Sequence, residues 1–384
     1  MKKVCIFTYS FMHKHHTMVN FHIENLFDGN SCVCVENETD YQTVQRPILV
    51  RNEIKLGIKD RLLGPLKKMS NKARKLPAKS IFGTERKEIL EFLRREKVDV
   101  ILCEFGCVGV DITEAISDYG IPIYTYYRGY DATMRIRSRR QQNLIRKTLP
   151  KMAGVFFVSG FLKDNLSALG LEHPNSYVVP SGVNTQKFCP AEKSERSFVA
   201  VGRLIEKKRP DLTVRAFCQE AKFFPEAVLN VLGGGPMLDM CGKIVHEAGM
   251  ENQVKLHGEQ HHDVVLKYVR EAEFFLQHSV TSPSGDAEGA PTSIQEAMAC
   301  GCVVIATRHA GIPDLIEEGK TGYLIDELAM EDYRKHIKSA LSGEINSDKI
   351  AQAARDHAVT NLDNRMLIEH VESILTATDT KNGN

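Results

Sequence analysis

The stretch Leu276–Ile305, LQHSVTSPSGDAEGAPTSIQEAMACGCVVI, decides how the rest of the chain is interpreted. Its apolar ends predict strands, and its middle predicts a polar loop that leads into a helix. Two carboxylates lie eight positions apart in it, Glu288 in the loop and Glu296 about two turns inside the helix. At such a helix start, exposed backbone N–H groups and the helix dipole favour an anion such as phosphate.

One anion site flanked by two hydrogen-bond acceptors suits a ligand that carries both phosphate and hydroxyl groups. A nucleotide-sugar has this chemistry. The residues between the two glutamates that would surround it are Gly289, Ala290, Pro291, Thr292 and Ser293. The spacing also fits an ordinary surface helix with acidic and capping residues at its N-terminus, so the residues alone leave both interpretations open.

The two glutamates resemble the E-x7-E signature of retaining glycosyltransferases of family GT4, which have the GT-B fold. The runs Gly285–Gly289 and Thr307–Asp314 are similar to those of glycosyltransferases of colanic-acid and exopolysaccharide biosynthesis. The resemblance is strong over Val178–Ile325 and weaker before it. It implies an α/β protein with two Rossmann-like domains that face each other across a cleft.

The same resemblance predicts the domain boundaries. We expect an acceptor domain over residues 1–184 and a nucleotide-sugar donor domain over residues 185–361, with the polar run Pro190–Arg196 as a linker. The final helix, within residues 362–384, is expected to cross back onto the first domain.

The resemblance also implies roles for the residues of the opening stretch. Glu296 is expected to accept hydrogen bonds from the ribose hydroxyls. Glu288, with the backbone of Gly289, Ala290 and Pro291, is expected to hold hydroxyls of the donor sugar. Thr292 and Ser293 are expected to meet the diphosphate at the start of the helix.

Further donor contacts are expected in the second half of the chain. Arg203 and Lys208 match a pair that clamps the diphosphate in relatives, and a guanidinium with an ammonium can neutralise the charge on a leaving phosphate. A solvated basic turn is the alternative for this pair. The other expected donor-binding residues are Gly233 and Gly235 in a glycine-rich turn, and His257 and Gly258 near the base.

In the first half, Arg128 stands where family members commonly have the histidine of a His-Gly-x-Asp motif. A guanidinium can hold a phosphate or a sugar hydroxyl, but it cannot act as a general base near neutral pH. Asp131, at the end of the motif, is a candidate for positioning or deprotonating the acceptor hydroxyl. The alternative is that Arg128 and Asp131 simply pair with each other.

We expect no metal ion and no cofactor. His13, His15 and His16 lie close together after the first predicted strand, but no carboxylate or cysteine spacing supports a metal site, so a polar lip of the active site is favoured. The chain has no convincing D-x-D run, and Arg203 with Lys208 can supply the electrostatic stabilisation that a metal ion would give.

Composition excludes several classes of protein. The chain has 384 residues, a net charge of +1 and 42% hydrophobic residues, so it is long enough for two globular domains and has no overall field for nucleic acid. Its ten cysteines form no CxxC pair, which favours reduced thiols in a cytoplasmic protein. No apolar run is long enough to span a bilayer.

The segment Arg51–Lys79 differs from the rest of the chain because basic and apolar residues alternate along it. This pattern predicts two short helices, separated at Gly64-Pro65, that lie on an anionic membrane surface. A solvated insertion packed on its own domain is the alternative. With the membrane interpretation, we expect a cytoplasmic protein on the inner face of the plasma membrane.

The predicted function is retaining transfer of a sugar from a nucleoside-diphosphate sugar to a hydroxyl of a lipid-linked or growing glycan. The setting would be capsule, O-antigen or exopolysaccharide biosynthesis, with UDP as the favoured nucleotide and GDP as a competitor. Three alternatives remain: a non-catalytic protein that binds sugar nucleotides, another GT-B enzyme such as a nucleotide-sugar epimerase or phosphorylase, and a transferase with a soluble acceptor.

Overall fold

The computed structural model describes residues 2–12, 17–37, 45–73 and 81–377. Contacts between Cα atoms divide the chain into two compact units. The first unit comprises Met1–Val179 and Ile368–Asn384, and the second comprises Pro180–Leu367. Each unit is an α/β structure built around one parallel sheet, as the sequence predicts.

The first unit contains a seven-stranded sheet in the order β3-β2-β1-β4-β5-β6-β7. All of its neighbouring strands pair in parallel. Strands of such sheets are buried on both faces, which explains why they appear in the sequence as short, continuous apolar runs. The strands are β1 Val4–Ser10, β2 Ser31–Asn37, β3 Ile48–Val50, β4 Val100–Cys103, β5 Ile123–Tyr127, β6 Gly154–Phe157 and β7 Ser176–Val178.

The helices of the first unit connect these strands. They are α1 Thr17–Asn25, α2 Ile58–Ala73, α3 Gly83–Arg95, α4 Gly106–Ile116, α5 Arg139–Thr148 and α6 Gly160–Ser167. Helix α4 begins directly after β4 and packs closely on β5. A Cβ atom added at Gly109 would lie 1.6 Å from Thr125 Oγ1, so only glycine allows this approach.

Helix α2 corrects the prediction of two short helices in the basic segment. It runs without a break from Ile58 to Ala73, with Pro65 inside it. A proline removes one intrahelical hydrogen bond, but at an exposed position the freed carbonyl group remains accessible to water. Pro65 is exposed, which explains why it does not end the helix. Arg74, Lys75 and Lys79 lie outside the described residues.

The second unit contains a six-stranded parallel sheet in the order β10-β9-β8-β11-β12-β13. This order repeats that of the first six strands of the first sheet, so both units have the Rossmann topology. The strands are β8 Ser194–Val201, β9 Val228–Leu232, β10 Val254–Gly258, β11 Ala272–Gln277, β12 Val303–Thr307 and β13 Gly322–Ile325. The predicted linker therefore ends earlier than expected, because Ser194 already pairs with Ala272 of β11.

The helices of the second unit cover both faces of its sheet, around a core that includes Phe198 stacked on Phe274 at 4.9 Å between ring centroids. They are α7 Pro210–Ala221, α8 Leu238–Ala248, α9 His262–Glu271, α10 Thr292–Ala299, α11 Met330–Leu341 and α12 Ser347–Asn361, and a further helix, α13 Asn364–Thr376, begins in this unit. Among the described residues, none of the helices is long and apolar enough to cross a membrane.

The end of α13 belongs to the first unit. The backbone N–H of Phe27 donates to the Glu372 carboxylate at 2.5 Å, and the Tyr124 hydroxyl donates to the Ile374 carbonyl at 3.3 Å. Lys2 Nζ also donates to the Leu375 carbonyl at 3.4 Å. Three separate parts of the first unit therefore hold the last two turns of the helix.

Candidate active site

The acidic loop of the second unit, defined here as residues 278–291, connects β11 to α10. Hydrogen bonds within the loop order its middle. Asp286 N–H donates to Ser282 Oγ at 3.0 Å, and Ser282 N–H donates to the Asp286 carbonyl at 2.9 Å. This turn brings Glu288, the predicted sugar-binding acid, to a buried position at the carboxyl end of the sheet, where open α/β sheets bind ligands.

Glu288 is an ionised acid held by a lysine pair. Lys208 Nζ lies 3.0 Å from Glu288 Oε1, and Lys207 Nζ lies 3.8 Å from Glu288 Oε2. Burial alone would raise the pKa of Glu288, but the two ammonium groups outweigh burial and lower it to about 2. The Glu288 carboxylate is therefore charged at neutral pH and can accept hydrogen bonds from hydroxyl groups.

Lys207 is a residue that the sequence analysis missed. It is buried, and its Nζ lies 3.0 Å from Asp286 Oδ2 as well as close to Glu288. It therefore neutralises both acids of the loop, and Lys208, whose side chain is only slightly more exposed, reaches Glu288 as well. The only signal in the sequence is the neighbouring pair of lysines, which does not show that both side chains reach the acidic loop.

Glu296 has the opposite electrostatic character. It lies in α10, about one turn from the helix start and therefore nearer to it than the sequence predicted. Burial raises the pKa of Glu296 to about 8, and Lys187 only partly offsets that effect. The two acids of the motif thus differ at neutral pH, because Glu288 is ionised and Glu296 is mostly protonated.

The start of α10 lies close to the side chains of Gln277 and Lys208. Thr292 and Ser293 are its first residues, so their backbone N–H groups have no acceptor within the helix. Ser293 Oγ donates to Gln277 Oε1 at 3.3 Å, and Lys208 Nζ donates to the same oxygen at 3.4 Å. The structure therefore brings Thr292, Ser293 and Lys208 together at one end of the sheet, and their contact with a diphosphate stays a prediction.

Arg203 follows β8 at the same end of the sheet and is exposed. Among the described residues, no ion pair or hydrogen bond holds its guanidinium group. It lines a pocket with Gly202, Lys208 and Gln277. Arg203 and Lys208 therefore border one cavity, which leaves the guanidinium group available to an anion.

The glycine turn after β9 packs against the turn after β8. Gly233 and Gly235 have φ angles of 147° and 149°, and a Cβ atom at Gly233 would lie 1.9 Å from the Gly202 carbonyl oxygen. Gly233 N–H donates to the Gly258 carbonyl at 2.8 Å, which joins this turn to the end of β10. Glycine is required here for close packing of backbone on backbone.

His257, predicted to lie near the base, is half-buried at the end of β10. Its Nε2 atom lies 2.8 Å from Asn230 Oδ1, and its ring lies 4.6 Å from the Tyr268 ring. Burial, with a smaller contribution from Lys255, lowers the pKa of His257. A neutral imidazole at this place suits hydrogen bonding and stacking.

In the first unit, Asp131 is buried and organises the turn after β5. Its carboxylate accepts hydrogen bonds from the backbone N–H groups of Gly106, Arg128 and Gly129 at 2.7, 3.0 and 2.9 Å. Burial raises the pKa of Asp131, although these N–H groups act in the opposite direction. The turn therefore has a defined shape at the carboxyl ends of β4 and β5.

The side chain of Arg128 pairs with Glu104 rather than with Asp131, so the simple Arg128–Asp131 pair considered above does not form. Arg128 Nε lies 3.1 Å from Glu104 Oε2, and Nη2 also donates to that oxygen. The guanidinium carbon lies 4.2 Å from the Tyr126 ring centroid. Arg128 is thus held in place by an acid and an aromatic ring.

Glu104 is a second residue whose role the sequence analysis missed. It is fully buried, and its other oxygen lies 2.6 Å from His22 Nδ1. Burial would raise the pKa of Glu104, but Arg128 and His22 outweigh it and lower the pKa to about 2. Glu104 directly follows β4, yet its partners come from α1 and from the turn after β5.

The predicted histidine cluster at His13, His15 and His16 lies outside the described residues. In the part of the chain that the structure describes, no group of three or more His, Cys, Asp or Glu side chains could hold a metal ion. The ten cysteines are all free thiols, and nine of them are buried.

Two units of Rossmann topology are the architecture of the GT-B class of glycosyltransferases. In this chain the E-x7-E loop and helix lie in the second unit. Two family models match the chain: "Glycosyl transferases group 1" over residues 184–357 and "Glycosyltransferase Family 4" over residues 68–187. Together the two matches extend over residues 68–357, and they confirm the resemblance to GT4-type glycosyltransferases that the E-x7-E motif indicated.

Curated relatives of the chain carry glycosyltransferase names. The chain is 26% identical over 292 residues to a protein of Escherichia coli K12, the putative colanic acid biosynthesis glycosyltransferase WcaL, with 73% of this chain and 71% of WcaL covered. It is 31% identical over 216 residues to a mannosyltransferase of Mycobacterium tuberculosis H37Rv, with 53% of this chain and 56% of that protein covered. That relative is a GDP-mannose-dependent alpha-(1-6)-phosphatidylinositol monomannoside mannosyltransferase.

The fold is similar to that of Anabaena HepE, crystallised in complex with UDP and glucose. The TM-score is 0.75 at 15% identity, with 98% of this chain and 100% of HepE covered. At this low sequence identity, the similarity shows that the two proteins share a fold and shows nothing further about function. The alignments with four of the curated relatives cover 54% to 71% of those proteins' own length.

Proposed function

We propose that this glycosyltransferase is a retaining, metal-independent hexosyltransferase that uses a nucleoside-diphosphate sugar. Its acceptor would be a hydroxyl of a lipid-linked or growing glycan in capsule, O-antigen or exopolysaccharide biosynthesis. The observation that carries the proposal is the ion pair of Glu288 with Lys208, which lies beside the free N–H groups at the start of α10. An ionised carboxylate that can accept hydrogen bonds from hydroxyl groups would then stand next to groups suited to bind phosphate.

The leaving nucleoside diphosphate would be stabilised by charge and by backbone dipoles. The acceptor hydroxyl oxygen bonds to the anomeric carbon as the bond from that carbon to the diphosphate oxygen breaks, negative charge develops on the diphosphate, and the proton of the acceptor hydroxyl passes to the leaving diphosphate. Lys208, Arg203 and the N–H groups of Thr292 and Ser293 are suited to receive this charge, because preorganised donors stabilise a developing anion. These groups can do so without a metal ion.

The sugar and ribose would be held by the two glutamates in different ways. Glu288 is ionised and can accept hydrogen bonds from sugar hydroxyls, with the backbone of Gly289, Ala290 and Pro291 as further contacts. Glu296 is mostly protonated at neutral pH, so ribose hydroxyls that donate to it would favour its ionised form. His257 and Gly258, at the end of β10, are suited to border the base.

The donor nucleotide is proposed to be UDP, since the similar fold of HepE was crystallised with UDP and glucose. GDP is the competitor, because the mycobacterial relative is GDP-mannose-dependent. The setting in polysaccharide biosynthesis rests on the name of the WcaL relative.

The first unit is proposed to bind the acceptor. Asp131 would shape the turn that receives the acceptor, because its oxygens already accept three backbone N–H groups. The half-exposed Tyr130 next to it shares a hydrogen bond of 2.8 Å with the Tyr9 hydroxyl. Arg128 would contact a hydroxyl or phosphate rather than remove a proton.

An anionic membrane surface is the proposed partner of α2. Leu62, Leu66 and Met69 are 70%, 64% and 70% exposed and recur at helical spacing, so α2 has an apolar face that its own unit does not cover. Exposed Lys59 and Arg61 on the same helix supply positive charge. Apolar and basic groups on one helix are the pattern of interfacial binding, which favours a cytoplasmic protein on the inner face of the plasma membrane.

Calorimetric titration with UDP, GDP and ADP tests the donor site directly. We expect one nucleotide to bind, with affinity reduced at least tenfold by Arg203→Ala. Arg215→Ala is the matched control, since Arg215 is an exposed arginine on α7 of the same unit. Absence of binding by all three nucleotides would overturn the proposal, and binding without sugar transfer would indicate a sugar-nucleotide-binding protein.

A further inference from the structure

A hydrogen-bond relay outside the E-x7-E motif reaches the acidic loop. His309 follows β12 and is 1% exposed. Its Nδ1 atom lies 2.6 Å from Glu327 Oε1, and its Nε2 atom lies 3.2 Å from the backbone nitrogen of Glu288. The imidazole therefore connects the carboxylate of Glu327 to the main chain of Glu288.

The direction of each hydrogen bond follows from the chemistry of the groups. The Glu288 backbone N–H can only donate, so His309 Nε2 must be the unprotonated nitrogen that accepts. Nδ1 then carries the proton and donates a hydrogen bond to Glu327 Oε1. The Glu327 carboxylate thus selects the tautomer of His309 that can bind the main chain of Glu288.

Glu327 and Leu328 also form hydrogen bonds with the beginning of the acidic loop. Glu327 Oε2 accepts a hydrogen bond from the Thr281 backbone N–H at 3.4 Å. His278, which is fully buried at the start of the loop, accepts the Leu328 backbone N–H through Nε2 at 3.3 Å. Burial, with Arg209 nearby, lowers the pKa of His278 to about 4, so its Nε2 remains an acceptor at neutral pH.

We propose that Glu327, acting through His309, is a positioning residue that sets the place of Glu288 in the donor site. The inference rests on the proposed function, in which Glu288 holds hydroxyls of the donor sugar. Glu327 comes from the turn after β13, and neither it nor His309 belongs to the two-glutamate motif. A shift of about 1 Å in a positioning group can cost about 100-fold in rate.

A positioning role of the relay predicts different effects on the nucleotide-sugar and on the free nucleoside diphosphate, whereas a general stabilising role does not. Glu288 is assigned to the sugar, whereas the diphosphate is assigned to Arg203, Lys208 and the start of α10. Loss of the relay should therefore weaken use of the nucleotide-sugar while leaving affinity for the free nucleoside diphosphate almost unchanged.

The test compares Glu327→Ala and His309→Phe with the wild-type chain. We expect kcat/KM for the nucleotide-sugar to fall about 10- to 100-fold, and the Kd of the free nucleoside diphosphate to change less than twofold. His309→Gln keeps a side-chain oxygen that can accept the Glu288 N–H and should restore part of the activity. Glu317→Ala is the control, because Glu317 is exposed and pairs with Lys320 on the surface.

A second readout needs no ligand. Hydrogen exchange of the peptide that contains Glu288 should be at least tenfold faster in Glu327→Ala than in the wild type or in Glu317→Ala. Unchanged exchange would overturn the relay, and so would equal losses of affinity for the nucleotide and for the nucleotide-sugar. A wild-type chain that binds no nucleotide would defeat the proposed function, while the exchange comparison would still decide whether Glu327 positions Glu288.

Discussion

Lys208 Nζ lies 3.0 Å from Glu288 Oε1, so the two side chains assigned to opposite parts of the donor form one ion pair. The sequence separates them by 79 intervening residues, and the fold joins them through the ends of β8 and β11. This pair links the phosphate-binding and sugar-binding groups, and it determines the ionisation state of Glu288.

The first prediction concerns acid stability. The pKa of Glu288 is lowered from 4.5 to about 2, so its charge stabilises the folded state above about pH 4.5, and that stabilisation is lost as the pH falls toward 2. The free energy of unfolding of Glu288→Gln should therefore fall less on acidification than that of the wild type. This difference between the two proteins, measured by urea unfolding at several pH values, has an upper limit of about 3 kcal/mol. Parallel pH profiles for the two proteins would contradict the lowered pKa.

The second prediction concerns a proton released on nucleotide binding. Because the pKa of Glu296 is about 8, most molecules carry a proton on this residue at pH 7. Ribose hydroxyls that donate to the ionised carboxylate should displace up to about 0.9 proton. Calorimetry in two buffers of different ionisation enthalpy measures this number, and Glu296→Gln should remove the release. Equal proton release in both proteins would show that Glu296 does not change ionisation.

The third prediction concerns the buried pair of Arg128 and Glu104. Arg128→Met leaves the Glu104 carboxylate without its main partner, which should lower the free energy of unfolding by about 3–5 kcal/mol. The double variant with Glu104→Gln should be more stable than the sum of the single effects predicts, by roughly 2 kcal/mol.

An exposed pair provides the control for this cycle. Arg86 and Asp118 form an ion pair of 2.8 Å on the surface of the first unit, where the coupling should not exceed about 1 kcal/mol. Equal coupling energies in the two cycles would mean that the Arg128–Glu104 pair has no special structural importance.

The fourth prediction concerns α2. Replacing Leu62, Leu66 and Met69 by serine should reduce binding to vesicles that contain anionic lipid at least tenfold, because the exposed apolar face would no longer insert. Lys59→Glu with Arg61→Glu should weaken the salt-dependent part of binding. Sedimentation with vesicles at two salt concentrations measures both effects.

Exposed apolar residues elsewhere serve as the control. Phe223→Ser and Met240→Ser alter exposed side chains of the second unit and should leave vesicle binding unchanged. If the α2 variants bind vesicles as the wild type does, α2 is not the membrane contact and a soluble acceptor becomes the better interpretation.

Much of the fold could be predicted from the sequence, because parallel strands such as β5 and β12 are short apolar runs bounded by turns. The Glu288–Glu296 spacing likewise led to the family. Helix α2 was predicted incorrectly, since it continues past Pro65, whose exposed position leaves the freed carbonyl group accessible to water.

The supporting residues of the site could not be predicted in the same way. Lys207, Glu104 and Glu327 act on residues far away in the chain, and only the tertiary fold determines which charged side chains are buried together. Nothing in the local sequence shows that the side chains of Lys207 and Lys208 both reach Glu288. Tertiary structure, rather than motif spacing, provides this part of the site.

The most direct test of the central claim is nucleotide release from UDP-, GDP- and ADP-sugars, with and without EDTA, by the wild type and by Glu288→Ala. Release from one donor that is unaffected by EDTA and at least 100-fold slower in Glu288→Ala is the predicted result. Release that continues unchanged in Glu288→Ala, or that EDTA abolishes, would contradict a metal-independent transferase built around Glu288.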